Sequence, residues 1–424
     1  MHNIKFIREN NKEFDSLLKK RKIPELSKKI LKLHDEYLED LSKTQNLQEK
    51  KNSLSKSFSS QKSDSEISKI KNEVSSLKKE IESLKKQSEH KFDKLNNILL
   101  EIPNLLDEKV PVGDSEEDNK VAKTYGKKPK FSFTPQNHLE IAQKLDLLDY
   151  DKSIKISGGR FSVLKGELAL LSRALSNFML DINTESFGYE ELIVPEMVKT
   201  SSLVGTGQLP KFGDDLFRTN FNDLWLIPTA EVPLTNLNRE SIINSSKLPL
   251  RYTTFTNCFR SEAGASGKDT KGLMREHQFG KVEVVSISSP EKSNDEFERM
   301  INCVNEILNK LGLHFRHVQL CSADIGFSSS YTIDFEVWMP GQNKYREVSS
   351  CSNCKDFQSR RMKMRAKNID SGEIFFPHTL NGSSLAVGRI IVAILENFQL
   401  DDGSVMIPLN LRKYMKGKEI IRLK

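Results

Sequence analysis

Between residues 25 and 100, apolar side chains recur in alternating steps of three and four. Ile67, Ile70, Val74, Leu77, Ile81 and Leu84 keep that spacing, and Phe92, Leu95 and Leu99 extend it. Upstream, Leu26, Ile30, Leu33, Tyr37, Leu47 and Leu54 repeat it, loosened by polar Asp40, Thr44 and Lys51. A heptad stripe of this kind is the seam of a coiled coil. The polar run SFSSQKSDSE at 57–66 breaks the pattern and predicts a tight connection. Two antiparallel helices of about 30 residues each would extend roughly 45 Å at 1.5 Å per residue. A narrow seam buries little besides itself, so the pair is expected to project as an arm.

Charge is concentrated on that arm. The chain carries a formal net charge of +7, and residues 19–94 alone hold 20 Lys+Arg against 13 Asp+Glu. On charge alone, a solvated Lys/Glu helix surface is the simpler reading; the alternative is a footprint for a polyanion. No run of 18 apolar residues occurs, which excludes a transmembrane helix. The opening MHNIKFIRENNKEFD lacks the apolar centre of a signal peptide, and a cytoplasmic protein is expected. The five cysteines, at 258, 303, 321, 351 and 354, are odd in number and scattered, unlike a disulfide framework.

Prolines and a glycine in IPNLLDEKVPVG (102–113) mark a domain connector, so the arm domain is expected over 1–105 and a polar linker over 106–135. From 136 to 424 the pattern is mixed. Helices are predicted at 138–148, 165–182, 294–312 and 384–398. Short strands are predicted at 191–194, 224–227, 252–258, 279–287, 314–320 and 331–338. Closely spaced strands with short links predict an antiparallel sheet flanked by helices, hence an α+β fold behind the helical arm.

The segment 251–288 reads as two strands joined by a Gly/Lys-rich loop near 263–274. Side chains two apart share a strand face. Arg260 and Glu262 would then point one way, as would Arg275, His277, Phe279, Lys281 and Glu283. So much charge does not suit a core. It suits a ligand with a flat ring, phosphates and an ammonium group.

Phe259-Arg260-Ser261-Glu262 resembles motif 2 of the class II aminoacyl-tRNA synthetases, in the form of the seryl-tRNA synthetases. GYEELIVP at 188–195 is similar to motif 1 and TLNGSSLAVGR at 379–389 to motif 3. GTGQLPKF at 205–212, Thr229-Ala230-Glu231 and Glu347-Val348-Ser349-Ser350 match in the family's order. The resemblance spans nearly the whole chain. It implies ligation of L-serine to tRNA(Ser) with ATP, with tRNA(Sec) left open as a second acceptor. It also implies a homodimer through the motif 1 region and an arm that binds tRNA.

The resemblance also implies site roles. Arg260 would meet the α-phosphate and the attacking carboxylate, since a guanidinium fork binds both bidentately. Glu262 would hold the adenine amino group or the arginine. Arg275 and Arg389 would take the outer phosphates, and Phe279 would stack on adenine. Ser261 and the run Glu347, Val348, Ser349 and Ser350 complete the ATP contacts, with Glu347 and Ser350 as Mg²⁺ ligands. Thr229, Ala230, Glu231, Glu283 and Ser383 would contact serine. Ser383 also reads as the N-cap of the helix predicted at 384–398.

Three lookalikes carry other readings. The stretch 264–269 is not a P-loop, because Glu262 and Asp269 stand where glycine and a hydroxyl are required; a mobile loop over ATP is expected. Cys351 and Cys354 have no second ligand pair, so no zinc is expected. His277 is read as structural or as part of the tRNA loop. Competing functions are a ligase that charges a carrier protein, which would lack the basic arm, and an RNA-binding module with a dead core, which would have lost Arg260, Glu262 or Arg389. A prolyl or threonyl enzyme is disfavoured by the arm and by NGSS at 381–384.

Overall fold

The heptad stripe folds as two long helices, Ser27–Lys56 and Asp64–Glu101, in a computed structural model that describes residues 1–56, 64–264 and 271–422. Lys50 pairs with Glu73 at 2.9 Å and Asp40 with Lys91 at 2.6 Å. Numbers fall on one helix as they rise on the other, so the pair is antiparallel. Ile30 on the first helix and Leu77, Ile81, Leu95 and Leu99 on the second are buried. The expected connection at 57–66 lies outside the described residues as far as 63, and residues 64–66 already belong to the second helix. Before the arm, the Asp15 carboxylate accepts the Leu26 and Ser27 N–H groups at 3.0 Å, capping the first long helix.

One seam assignment is corrected. From buried Ser88 the step of three falls on Lys91, not Phe92. Phe92 is 47 % exposed and packs on the edge against Tyr37, ring centroids 5.4 Å apart. Lys91 can occupy the seam because Asp40, itself buried, neutralises it. Thr44 joins this polar layer by donating to the Asp40 carbonyl at 2.7 Å. A polar layer of this kind costs stability and fixes register.

The chain divides into two compact units, Met1–Pro103 and Asn104–Lys424. The second is built on an eight-stranded sheet. Its strands are β1 (Lys120–Tyr125), β2 (Glu190–Glu191), β3 (Leu250–Phe259), β4 (Gln278–Ser288), β5 (Phe315–Gln319), β6 (Tyr331–Met339), β7 (Lys344–Asn353) and β8 (His378–Ala386). The order is β1-β5-β6-β7-β8-β4-β3-β2. All neighbours are antiparallel except β2 and β3. On one face Val282, Val284, Phe335, Val337 and Leu385 pack under the helices Gly166–Asp181, Ser293–Lys310 and Val387–Asn397. The other face carries the polar residues of the site. Among the described residues, no helix is long and apolar enough to cross a membrane.

Several segments differ from expectation: the strand expected at 191–194 is only Glu190–Glu191, and β7 at Lys344–Asn353 has no counterpart among the predicted strands. The stretch read as a linker supplies β1, and its Leu106 and Val110 are buried against Val318, Leu320 and Ile325. Its alternation is hidden because β1 is an edge strand, almost fully exposed and lysine-bearing. NGSS at 381–384 is no helix cap but the middle of β8, and the helix begins at Val387 with Ala386 at its N-cap. Turn-like residues adopt a strand here because β4 and β7 pair with them on both sides.

Candidate functional site: a two-part cleft on the open sheet face

Phe279, Lys281 and Glu283 alternate along β4 onto the open face, while Val282 and Val284 point into the core. Glu283 lies directly opposite Ser383 on β8 and Thr254 on β3. Two β-bulges adjust the neighbouring strands. Residues three apart in a regular strand face opposite ways. The register of β7 slips between Glu347 and Ser349, and that of β8 between Ser383 and Leu385. Each extra residue restores the face, so Glu347 and Ser350 both pair with open-face residues, Glu336 and Asp334. Val348 and Ser349 at the first bulge are buried, and the Ser349 hydroxyl donates to the Ser383 carbonyl.

The expected continuation of the hairpin face through Arg260 and Arg275 is not found. β3 ends at Phe259 and β4 begins at Gln278. Glu262 has a positive φ of 53°. The residues meet through side chains instead. Arg275 ion-pairs with Glu262, and the Arg260 guanidinium lies 5.3 Å from the Phe279 ring centroid. Ser261 is tied to the segment at 214–215, its N–H donating to Asp215 O at 3.0 Å. His277 Nδ1 lies 2.9 Å from the Arg260 carbonyl, with rings of Phe161 and Phe217 against it. Within 264–269, residues from 265 onward lie outside the described residues.

Arg260, Glu262, Arg275, Phe279, Glu347 and Arg389 border an open cavity of about 600 Å³. Arg389 reaches the Glu347 carboxylate at 3.2 Å and donates to the Glu347 and Met274 carbonyls at 3.0 and 3.2 Å. Arg260 and Glu262 also border a second cavity of about 750 Å³, with Thr229 and Glu231 on its wall. Ala230 is fully buried against Leu234 and Val285, so its side chain serves packing. Burial pushes Glu231 up to about 7, and Gln358 opposes the rise by hydrogen bonding. Burial also raises Glu283, and the Lys281 ammonium, 2.5 Å away, opposes it.

Several residues in the cleft are missing from the sequence-derived set. Lys281 sits on the expected strand face yet drew no role; it is buried and donates to the Thr229 hydroxyl at 2.8 Å. Asn381 donates to Glu231 Oε1 at 3.0 Å. Its neighbour Ser383 could have pointed to it, two positions away on the same strand face. Asp334 accepts the Ser350 hydroxyl, and burial, then the Glu347 charge, raises it well above the usual carboxylate range. Asp334 lies outside every motif and carried no sequence signal.

The donor set at Glu347 and Ser350 fits Mg²⁺, being all oxygen, and a buried Asp334 oxygen nearby has no hydrogen-bond partner. Among the described residues, no three His, Cys, Asp or Glu side chains converge on one metal position. Cys351 and Cys354 separate across the sheet. Cys351 is in the core beneath Gly382, whereas Cys354 takes the Asn381 amide on the cleft side at 3.5 Å. Burial raises both thiols, which disfavours the thiolates that zinc requires. Alanine at both positions should leave the metal content of the purified protein unchanged. Stoichiometric zinc in the purified protein, lost in the double variant, would show the opposite.

The description "tRNA synthetase class II core domain (G, H, P, S and T)" matches residues 215–398, and "Seryl-tRNA synthetase N-terminal domain" matches residues 1–106. The serine–tRNA ligase of Ehrlichia ruminantium (strain Gardel) is 46 % identical over 424 residues, covering 100 % of both chains. That of Paramagnetospirillum magneticum is 48 % identical over 422 residues, covering 99 % of this chain and 100 % of the relative. A crystal structure of seryl-tRNA synthetase from Pyrococcus horikoshii complexed with ATP superposes with a TM-score of 0.92 at 34 % identity, covering 100 % of each chain. An arm of two antiparallel helices, an antiparallel sheet with its polar face open, and full-length likeness at this level place the chain in the seryl-tRNA synthetase family of aminoacyl-tRNA ligases.

Proposed function

We propose that the chain activates L-serine with ATP and transfers it to the 3′ end of tRNA(Ser). One observation carries this reading. Three guanidinium groups, Arg260, Arg275 and Arg389, border a cavity that adjoins a second one lined by the half-buried carboxylate of Glu231. Anion sites beside an ammonium site suit a triphosphate next to an amino acid. In the first step a serine carboxylate oxygen attacks the α-phosphorus, and the bond to pyrophosphate breaks. Little proton transfer is needed; charge neutralisation and in-line alignment do the work.

Arg260, bordering both cavities, neutralises the α-phosphate and the incoming carboxylate. Arg275, oriented by Glu262, and Arg389 hold the outer phosphates while Phe279 takes the adenine face. Bound Mg²⁺, held by Glu347 and Ser350, would supply further neutralisation of the phosphates. Thr229, Glu231, Glu283 and Ser383 take the ammonium and hydroxyl of serine. In the second step the terminal 3′ hydroxyl attacks the acyl carbon and AMP leaves. The basic arm is the tRNA-binding element. Ile193, in the motif 1 segment, is 98 % exposed in the single chain, which supports a homodimer through that region.

ATP–pyrophosphate exchange against twenty amino acids tests the reading. Serine should drive exchange, and a different preferred amino acid would overturn the assignment. Glu283→Ala should raise KM for serine and narrow the serine-over-alanine ratio, with KM for ATP changing less. A site that pairs a substrate hydroxyl rejects the analogue without it by about 10⁴–10⁵. A ratio that survives the substitution would move hydroxyl recognition to Ser383.

A further inference from the structure

Gln358 belongs to none of the motifs above. It lies on the short helix Phe357–Arg361 and is completely buried. Its Nε2 donates to Glu231 Oε1 at 2.6 Å and to the Thr206 carbonyl at 3.1 Å, and its Oε1 accepts the Thr379 hydroxyl at 2.6 Å. The Thr206 carbonyl only accepts, so the nitrogen must face that side, and the amide has one permitted orientation. Asn381 donates to the same Glu231 oxygen at 3.0 Å. Both amides thus hold Oε1 and leave Oε2 for a ligand.

We infer that Gln358 is a positioning residue for serine: it holds Glu231 as an oriented carboxylate without cancelling its charge. The inference rests on the reading of Glu231 as a serine contact. A lysine or arginine in the place of Gln358 would also stabilise the carboxylate, but it would compete with the substrate ammonium. A neutral amide donates without competing. The charged and titratable groups around Glu231 are Lys281, Glu283, Arg260 and the Cys354 thiol. Lys281 is already engaged with Glu283 and Thr229. Burial raises Glu231 to about 7, and the Gln358 bond opposes that rise. Removing the bond should push the carboxyl higher and leave it protonated at neutral pH.

Gln358→Met keeps the volume and removes both amide ends. Gln358→Glu keeps the Thr379 bond and carries the same test if the first variant does not fold. Pyrophosphate exchange is measured from pH 6 to 9 with each, beside Glu231→Gln. The expected rise in KM for serine at pH 7 is on the order of 10- to 100-fold, the scale of a lost hydrogen bond to a charged group. KM for ATP should stay within about two-fold of the parent. The acid limb of kcat/KM for serine should move to higher pH in Gln358→Met, so that high pH restores part of the loss. A role in packing alone would raise both KM values and leave the limb in place, and that result overturns the inference. If Glu231→Gln leaves KM for serine unchanged, the serine-site reading itself fails. If Glu231→Gln raises it and neither Gln358 variant does, only the role of Gln358 fails.

Discussion

Arg260→Ala should lower kcat for serine activation by on the order of 10²–10³, the typical cost of one preorganised charge contact in a transition state. Arg260 borders both cavities of the cleft. Its Nε donates to the Pro228 carbonyl at 3.2 Å, and its guanidinium lies 5.3 Å from the Phe279 ring centroid. The charge is held in place before substrate arrives. In the role proposed for Arg260, negative charge from carboxylate and phosphate converges there as the bond forms, so KM for serine should change much less than kcat. Arg260→Lys should recover only part of the rate, because an ammonium lacks the planar fork and cannot keep the Pro228 contact in the same geometry. Pyrophosphate exchange at saturating serine and ATP measures both variants. A kcat unchanged in either would remove Arg260 from the centre of the mechanism.

Deleting residues 28–96 and bridging the ends should abolish charging of tRNA(Ser) while sparing serine activation. The loss follows from missing phosphate contacts, about 6–10 of which make affinity fall by about 10³–10⁵ between 50 and 200 mM salt. The segment 19–94 holds seven more basic than acidic residues. Exposed pairs within it, such as Lys43–Glu39 at 2.7 Å, contribute little and leave that excess standing. Affinity of the full chain for tRNA should fall steeply with added salt as bound counterions are released. Aminoacylation by the deletion variant at the parental rate would show that the arm has another role.

Periodicity made the arm legible. A heptad repeat over two long helices is a strong signal, and it failed only where Lys91 replaced an apolar residue and adjacent Phe92 offered a false continuation. The strands β3 and β4 were legible because alternation of Phe279, Lys281 and Glu283 with valines survives intact. β8 was not, because Asn381, Gly382, Ser383 and Ser384 carry turn chemistry that pairing on both sides overrides. The motif residues bordering the cleft could be named from the resemblance. Their supports, Gln358 and Asp334, could not, since a polar residue that orients another leaves no periodic trace.

The two bulges give the cleft a property that no single side chain supplies. Along β7 and β8, the facing of every later residue depends on whether the count from the strand start is odd or even. One added residue near Val348 and another near Ser384 reset that parity halfway along. Each strand thereby presents residues from both of its halves on the same open face. Straightening either bulge without removing a residue would exchange inside for outside downstream, sending Ser350 toward the core in β7 and bringing Cys351 to the open face. Removing the extra residue itself would leave every facing as it is, so a one-residue deletion beside either bulge can be absorbed by a straightened strand, whereas a one-residue insertion there inverts the rest of the strand unless a second irregularity compensates for it.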